Sequence, residues 1–96
     1  MRRNFVFKNF TPTRSESEAC GLLYDMIWEK SPSDSWISAV QEREEESEYS
    51  TTIEIHSTTG NFQAFASHDS KYLSVNNATQ KILNDLAKWR MHRFTY

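Results

Sequence analysis

The groups in this sequence that could do covalent chemistry are few. There is one cysteine, Cys20, and there are three histidines, His56, His68 and His92. Nucleophilic catalysis needs a serine or cysteine set beside a base. Cys20 falls near an apolar helical stripe, where a buried and inert thiol is expected. The histidines are scattered, and no pair has the spacing that a metal requires on a helix or hairpin. His68-Asp69 is adjacent but opens a helix, where capping accounts for the aspartate. The acidic run Glu42-Arg43-Glu44-Glu45-Glu46-Ser47-Glu48 could attract a cation, yet it lacks the fixed turn residues of a calcium loop. A solvated hairpin tip is the simpler reading. Two glycines are too few for a glycine-rich phosphate loop. These residues predict no enzyme, no metal, no cofactor and no small-molecule substrate.

Charge pairing is the other chemistry on offer. Lys81, Lys88, Arg90, His92 and Arg93 gather toward the end of the chain. A basic helix end can contact phosphate. Basic residues also meet the negative end of a helix dipole favourably, which is an ordinary structural reason for them. The formal net charge is −2, so no global positive field draws in nucleic acid. Any such contact must come from a local patch.

The elements that must position these groups follow from length and pattern. A chain of 96 residues predicts one domain, residues 1–96, with room for one modest core. With 38% hydrophobic and 25% charged residues it is globular rather than disordered. A single cysteine forms no internal disulfide and suits a reducing, cytoplasmic compartment. No apolar run approaches the ~20 residues of a membrane span. Arg2-Arg3 resembles the start of an export signal, but Asn9, Thr11, Pro12, Thr13 and Arg14 stand where its apolar stretch would be.

Phe5-Val6-Phe7-Lys8 predicts a short strand that Pro12 and its threonines end. A helix follows, with Thr13/Glu16 and Ser15/Glu18 fitting a capping box equally well. Ala19, Leu22, Leu23, Met26 and Ile27 form the expected buried stripe, widened by Cys20, Tyr24 and Trp28. Ser31-Pro32-Ser33-Asp34-Ser35 ends that helix. Trp36 to about Arg43 predicts a second strand, and the acidic run is its turn. Tyr49, Thr51, Ile53 and Ile55 alternate with polar residues in a third strand. Ser57-Thr58-Thr59-Gly60-Asn61 is a hairpin turn, with Gly60 free to take positive φ. Phe62, Ala64 and Ala66 alternate in a fourth strand. Asp69 or Ser70 caps a last helix, on which Tyr72, Val75, Ala78, Ile82, Leu86 and Trp89 make a second stripe.

The predicted fold class is therefore α+β, in the order β-α-β-β-β-α. The first two strands must lie parallel across a right-handed crossover, and the later ones antiparallel. Each helix has one apolar stripe, so both pack on one face of a four-stranded mixed sheet. The other face is left for solvent or a protein partner, with Lys8, Glu54, His56, Gln63 and Phe65 on it.

The run Phe62-Gln63-Ala64-Phe65-Ala66-Ser67-His68-Asp69-Ser70-Lys71-Tyr72-Leu73-Ser74-Val75 continues through Ala78, Lys81-Ile82 and Leu86-Ala87-Lys88-Trp89-Arg90. It resembles the ribosome hibernation-promoting factors, also called ribosome-associated inhibitors or sigma-factor modulation proteins, in their short form. That family shows a strand with alternating alanines, here Ala64 and Ala66. An acidic residue and a tyrosine open its last helix, here Asp69 and Tyr72, one residue further apart than usual. A Lys-Leu pair follows, here Lys81-Ile82, and then a leucine with spaced basic residues, here Leu86, Lys88 and Arg90. Thr52-Ile53-Glu54-Ile55 fits the family's third strand.

The resemblance implies a translation inhibitor that binds rRNA of the small ribosomal subunit in stationary phase or stress. It implies phosphate contact by Lys81, Lys88 and Arg90, extended by His92 and Arg93. The first helix departs from the family pattern. It carries Glu16, Glu18, Asp25 and Glu29, with Lys30 near its end, where the family has several basic residues. Either such a member docks through its last helix, or it has kept the fold as a protein-interaction module with another partner. A double-stranded RNA-binding domain shares the layout. Its last helix, however, opens on a basic cluster, and this one opens with a single lysine, Lys71.

Overall fold

The computed structural model describes residues 5–45 and 47–94, the last three by their backbone alone. The element order is β1 (Phe5–Lys8), α1 (Arg14–Lys30), β2 (Trp36–Glu45), β3 (Glu48–Ser57), β4 (Gly60–His68) and α2 (Lys71–Phe94). The strands form one sheet in the order β1-β2-β3-β4. β1 pairs parallel with β2, Phe5 opposite Ala39, and the two later pairs are antiparallel. This is the α+β arrangement that the sequence pattern predicts. The acidic run is mostly strand rather than turn, because β2 and β3 keep pairing out to Glu45 and Glu48.

Period-two alternation decides which strand residues face the helices. Ile37 and Ala39 of β2, Ile53 and Ile55 of β3, and Ala64 and Ala66 of β4 are all buried. They meet Tyr24 and Ile27 of α1 and Ala78, Ile82 and Leu86 of α2 in one core. The small side chains of β4 let α2 lie close to the sheet, over β4 and β3. α1 lies beside α2, toward β1. The helices run parallel: Lys71 at the start of α2 reaches Glu16 near the start of α1, and Arg90 near the end of α2 reaches the last carbonyls of α1.

The stripe on α1 differs from the expected one. Cys20, Tyr24 and Ile27 are buried, whereas Leu22 is 68% exposed and Met26 and Trp28 are exposed as well. Leu22 and Tyr24 sit about 160° apart around a helix, so one of them must face out. Tyr24 is the one that faces in. Its hydroxyl donates to the Ile37 carbonyl at 3.2 Å, a partner that only the fold supplies. On α2 the stripe is as expected from Val75 to Leu86, with Trp89 half-buried, but Tyr72 is exposed.

The caps choose between the alternatives that the sequence offers. Thr13 and Glu16 form the capping box of α1. Ser70 caps α2, its hydroxyl accepting the Leu73 N–H at 3.3 Å. Gly60 does not take positive φ; among the described residues Asn9 alone does, at 67°. The β3–β4 turn is shaped instead by side chains. The Gly60 N–H donates to the Ser57 hydroxyl at 3.1 Å, and the Asp34 carboxylate accepts the Thr58 N–H at 2.9 Å and the Thr58 hydroxyl. Those two bonds from Thr58, the hydroxyl first, hold the Asp34 carboxyl below its usual range.

Candidate nucleic-acid interface

Parallel helices put both N-termini at one end of the molecule and both C-termini at the other. The acidic hairpin residues Glu42, Glu44, Glu45 and Glu48 lie with the N-termini, because the end of β2 meets the start of α2. There the Gln41 amide donates to the Lys71 carbonyl at 2.9 Å. Lys30, Lys88 and Arg90 lie at the opposite end. Among the described residues carboxylates thus outnumber cations at the hairpin end, where Lys8, Arg14, Arg43 and Lys71 also lie, while Lys30, Lys88 and Arg90 at the other end stand near Glu29.

The structure gives the predicted basic residues different tasks. Lys81 donates to the Phe65 carbonyl at 2.8 Å, closing a backbone group on the outer edge of β4. Arg90 donates to the Lys30 and Glu29 carbonyls, each at 3.2 Å. These are carbonyls that the end of α1 leaves without helical partners. Lys88 is exposed and makes no hydrogen bond among the described residues. Lys81 and Lys88 share one flank of α2, while Arg90 lies about 180° from Lys81 on the flank that meets α1. The side chains of His92 and Arg93 lie outside the described residues. Lys81 and Arg90 therefore diverge rather than converge.

One basic residue that sequence reasoning passed over belongs with this end. Lys30, the last residue of α1, lines a shallow recess of ≈ 240 Å³ with Leu83, Ala87 and Arg90. Its only signal was its place at a helix C-terminus. The recess is apolar between two cations.

The opposite end holds the remaining chemical groups. A recess of ≈ 180 Å³ between the helix N-termini is lined by Phe10, Ala19, Cys20, Leu23 and Tyr72, among others. Lys71 and Glu16 pair across it at 3.2 Å, and the Lys71 ammonium lies 5.5 Å from the Phe10 ring centroid. Burial, and after it the charge of Glu16, pushes the Cys20 thiol up to about 11. At neutral pH it stays protonated and is no nucleophile. Among the described residues no three His, Cys, Asp or Glu side chains gather as metal ligands would. No described helix is long and apolar enough to cross a membrane.

No family model matches this chain, and no curated protein matches it by sequence. Its shape, however, matches solved structures. A ribosomal subunit interface protein from Coxiella burnetii superposes with a TM-score of 0.73 at 12% identity, over 92% of this chain and 96% of that one. The N-terminal domain of Protein Y from Thermus thermophilus superposes with a TM-score of 0.76 at 9% identity, over 93% of this chain and 99% of that domain. The chain thus has the fold of these proteins, the hibernation-promoting-factor fold that the 62–90 resemblance implies.

Proposed function

We propose that this chain is a ribosome-associated, cytoplasmic hibernation factor. It binds rRNA of the small ribosomal subunit and represses translation in stationary phase or stress. The observation that carries this reading is the fold, shared over 92% of this chain with a ribosomal subunit interface protein. The site is the basic end of the helix pair, with Lys88, Arg90, His92 and Arg93 on α2 and Lys30 on α1, and Lys81 further back on the Lys88 flank. Each lysine or arginine set on a phosphate releases condensed counterions, so docking weakens steeply as salt rises. The acidic hairpin, repelled by phosphate, turns away from rRNA and sets the orientation.

Co-sedimentation of the purified chain with ribosomal particles at moderate salt tests this. Association that falls with rising salt is expected. Absence of the chain from every particle, including those of starved cells, would reject it. Lys88→Glu is the sharpest variant, since Lys88 has no structural task among the described contacts. It should cut association by roughly tenfold or more while leaving the melting temperature unchanged. Arg90→Glu also uncaps α1, so its effect on docking is read only beside its effect on stability.

The acidic exposed side of α1, with Glu18 and Glu29, favours a second reading. In it the fold is kept and the chain is a protein-interaction module. A single protein retained on the immobilised chain, with no rRNA, distinguishes that outcome.

A further inference from the structure

The sheet face away from the helices is uncovered, and its side chains form a graded surface. At one end Trp36 of β2 stands opposite His56 of β3, ring centroids 5.6 Å apart. Trp36 is 54% exposed. One row further along the strands, Glu54 lies between Ser38 and Gln63. Its carboxylate accepts from the Gln63 amide at 3.2 Å and lies 3.5 Å from the His56 ring nitrogen. Another row on, exposed Val6, Val40, Thr52 and exposed Phe65 cross the sheet in that order, a strip that is apolar except for the Thr52 hydroxyl.

The charges on this face decide what can sit on it. Glu54 and Glu42 both point outward, and Asp34 is held against Thr58 at the Trp36 end. Among the described residues Lys8 is the one lysine or arginine on this face. Such a surface repels phosphate and attracts a cation. The Glu54 carboxylate offers about four acceptor positions, of which two are engaged. A shallow recess of ≈ 230 Å³ lies beside it, lined by Glu54, His56, Asn61, Phe62 and Gln63. An arginine side chain matches this chemistry better than a lysine. Its planar guanidinium stacks on an indole and pairs with a carboxylate through two N–H groups at once.

We propose that the open sheet face binds an extended protein segment bearing arginine, with the guanidinium taking the place of the exposed His56 ring against Trp36 and Glu54. The segment's apolar side chains lie on the Val6, Val40 and Phe65 strip. Successive rows on a sheet are about 7 Å apart, the same spacing as alternate side chains of an extended peptide, so one segment can reach the aromatic, acidic and apolar rows in turn. This site is on the opposite face from the helices and does not rest on rRNA binding.

The test uses the purified chain and the peptide acetyl-Gly-Arg-Ser-Val-Gly-amide, whose arginine and valine fall on one face when it is extended, followed through the indole N–H resonance of Trp36, assigned with Trp36→Phe. A saturable shift of that resonance and of neighbouring β2–β4 amides is expected. Citrulline in place of arginine keeps the shape and removes the charge, and should weaken binding by about tenfold or more. Glu54→Gln, a change of nearly equal shape at a half-buried position, should weaken it by about fivefold while leaving the melting temperature nearly unchanged. The proposal is overturned if the Trp36 resonance does not move at millimolar peptide, or if the citrulline peptide binds equally well. It is also overturned if single-stranded oligouridylate moves the same resonances at lower concentration, which would assign the face to RNA. None of these results depends on whether the chain sediments with ribosomes.

Discussion

α1 and α2 lie side by side on one face of the sheet, yet they are held by different forces. α2 buries Val75, Ala78, Ile82 and Leu86 almost completely, a continuous apolar stripe over β3 and β4. α1 buries Cys20, Tyr24 and Ile27, and leaves Leu22, Met26 and Trp28 exposed. What α1 lacks in apolar burial it replaces with polar ties at defined points. These are the Thr13–Glu16 capping box, the Glu16–Lys71 pair, the Tyr24 hydroxyl on Ile37 and the Arg90 cap on its last carbonyls. Three of these four ties reach α2 or the sheet. The basic residues follow the same division. Arg90 of α2 serves α1 as a cap, whereas Lys88 faces solvent and is free to serve a partner.

The largest expected effect tests whether α2 is the apolar anchor. Ile82 is fully buried, so Ile82→Ala should cost about 2–5 kcal/mol in urea unfolding. Leu22→Ala, at a 68% exposed position on α1, should stay within about 0.5 kcal/mol. Equal losses at both sites would mean that the two helices are anchored alike and that the contrast is wrong.

A middle-sized effect tests the polar side of the contrast. Thr13→Ala removes the hydroxyl that accepts the Glu16 N–H at 3.1 Å, and should cost about 1 kcal/mol. Amide exchange should speed up at the start of α1 and stay unchanged along α2. Faster exchange along both helices would show that the cap supports the whole fold rather than one end of one helix.

How far the sequence revealed this arrangement depended on whether the deciding contact was local. Thr51, Ile53 and Ile55 against Thr52, Glu54 and His56 is a period-two pattern with one consistent solution, so the two faces of β3 were readable. On α2 the apolar residues are flanked by Lys81, Asp85 and Lys88, and the stripe between them was equally plain. On α1 apolar residues surround much of the helix, and two stripes 60–100° apart explain them about equally well. The choice rests on Tyr24, whose hydroxyl partner is thirteen residues away on β2. Tyr72 was misassigned because an apolar period extends to the first turn of α2, where the structure has Gln41 and the Lys71–Glu16 pair instead. The candidate site shows the same boundary. The type and helical placement of Lys81, Lys88 and Arg90 were visible. The carbonyls that engage Lys81 and Arg90 belong to β4 and α1, and no spacing rule along α2 foretells them.

The smallest effect isolates the tie at the N-terminal end, where Glu16 serves both helices at once. Its carboxylate accepts the Thr13 N–H at 2.8 Å and meets the Lys71 ammonium at 3.2 Å. The Thr13 N–H first, and Lys71 after it, hold its pKa below the ordinary glutamate value, against the partial burial that raises it. A carboxyl with a lower pKa folded than unfolded stabilises the fold above its unfolded value, about 4.3. That stability is lost as pH falls from there through the folded value, because the unfolded chain binds the proton first. Glu16→Gln has no such proton to bind. Wild type should therefore be the more stable at pH 7, and the gap between the two should close as the pH is lowered below about 4.3. The Asp34 carboxyl, also lowered, titrates in both proteins and cancels in the difference. A gap that stays constant down to pH 3 would mean that Glu16 acts through its shape and hydrogen bonds alone. Its charge would then contribute nothing to holding α1 against α2.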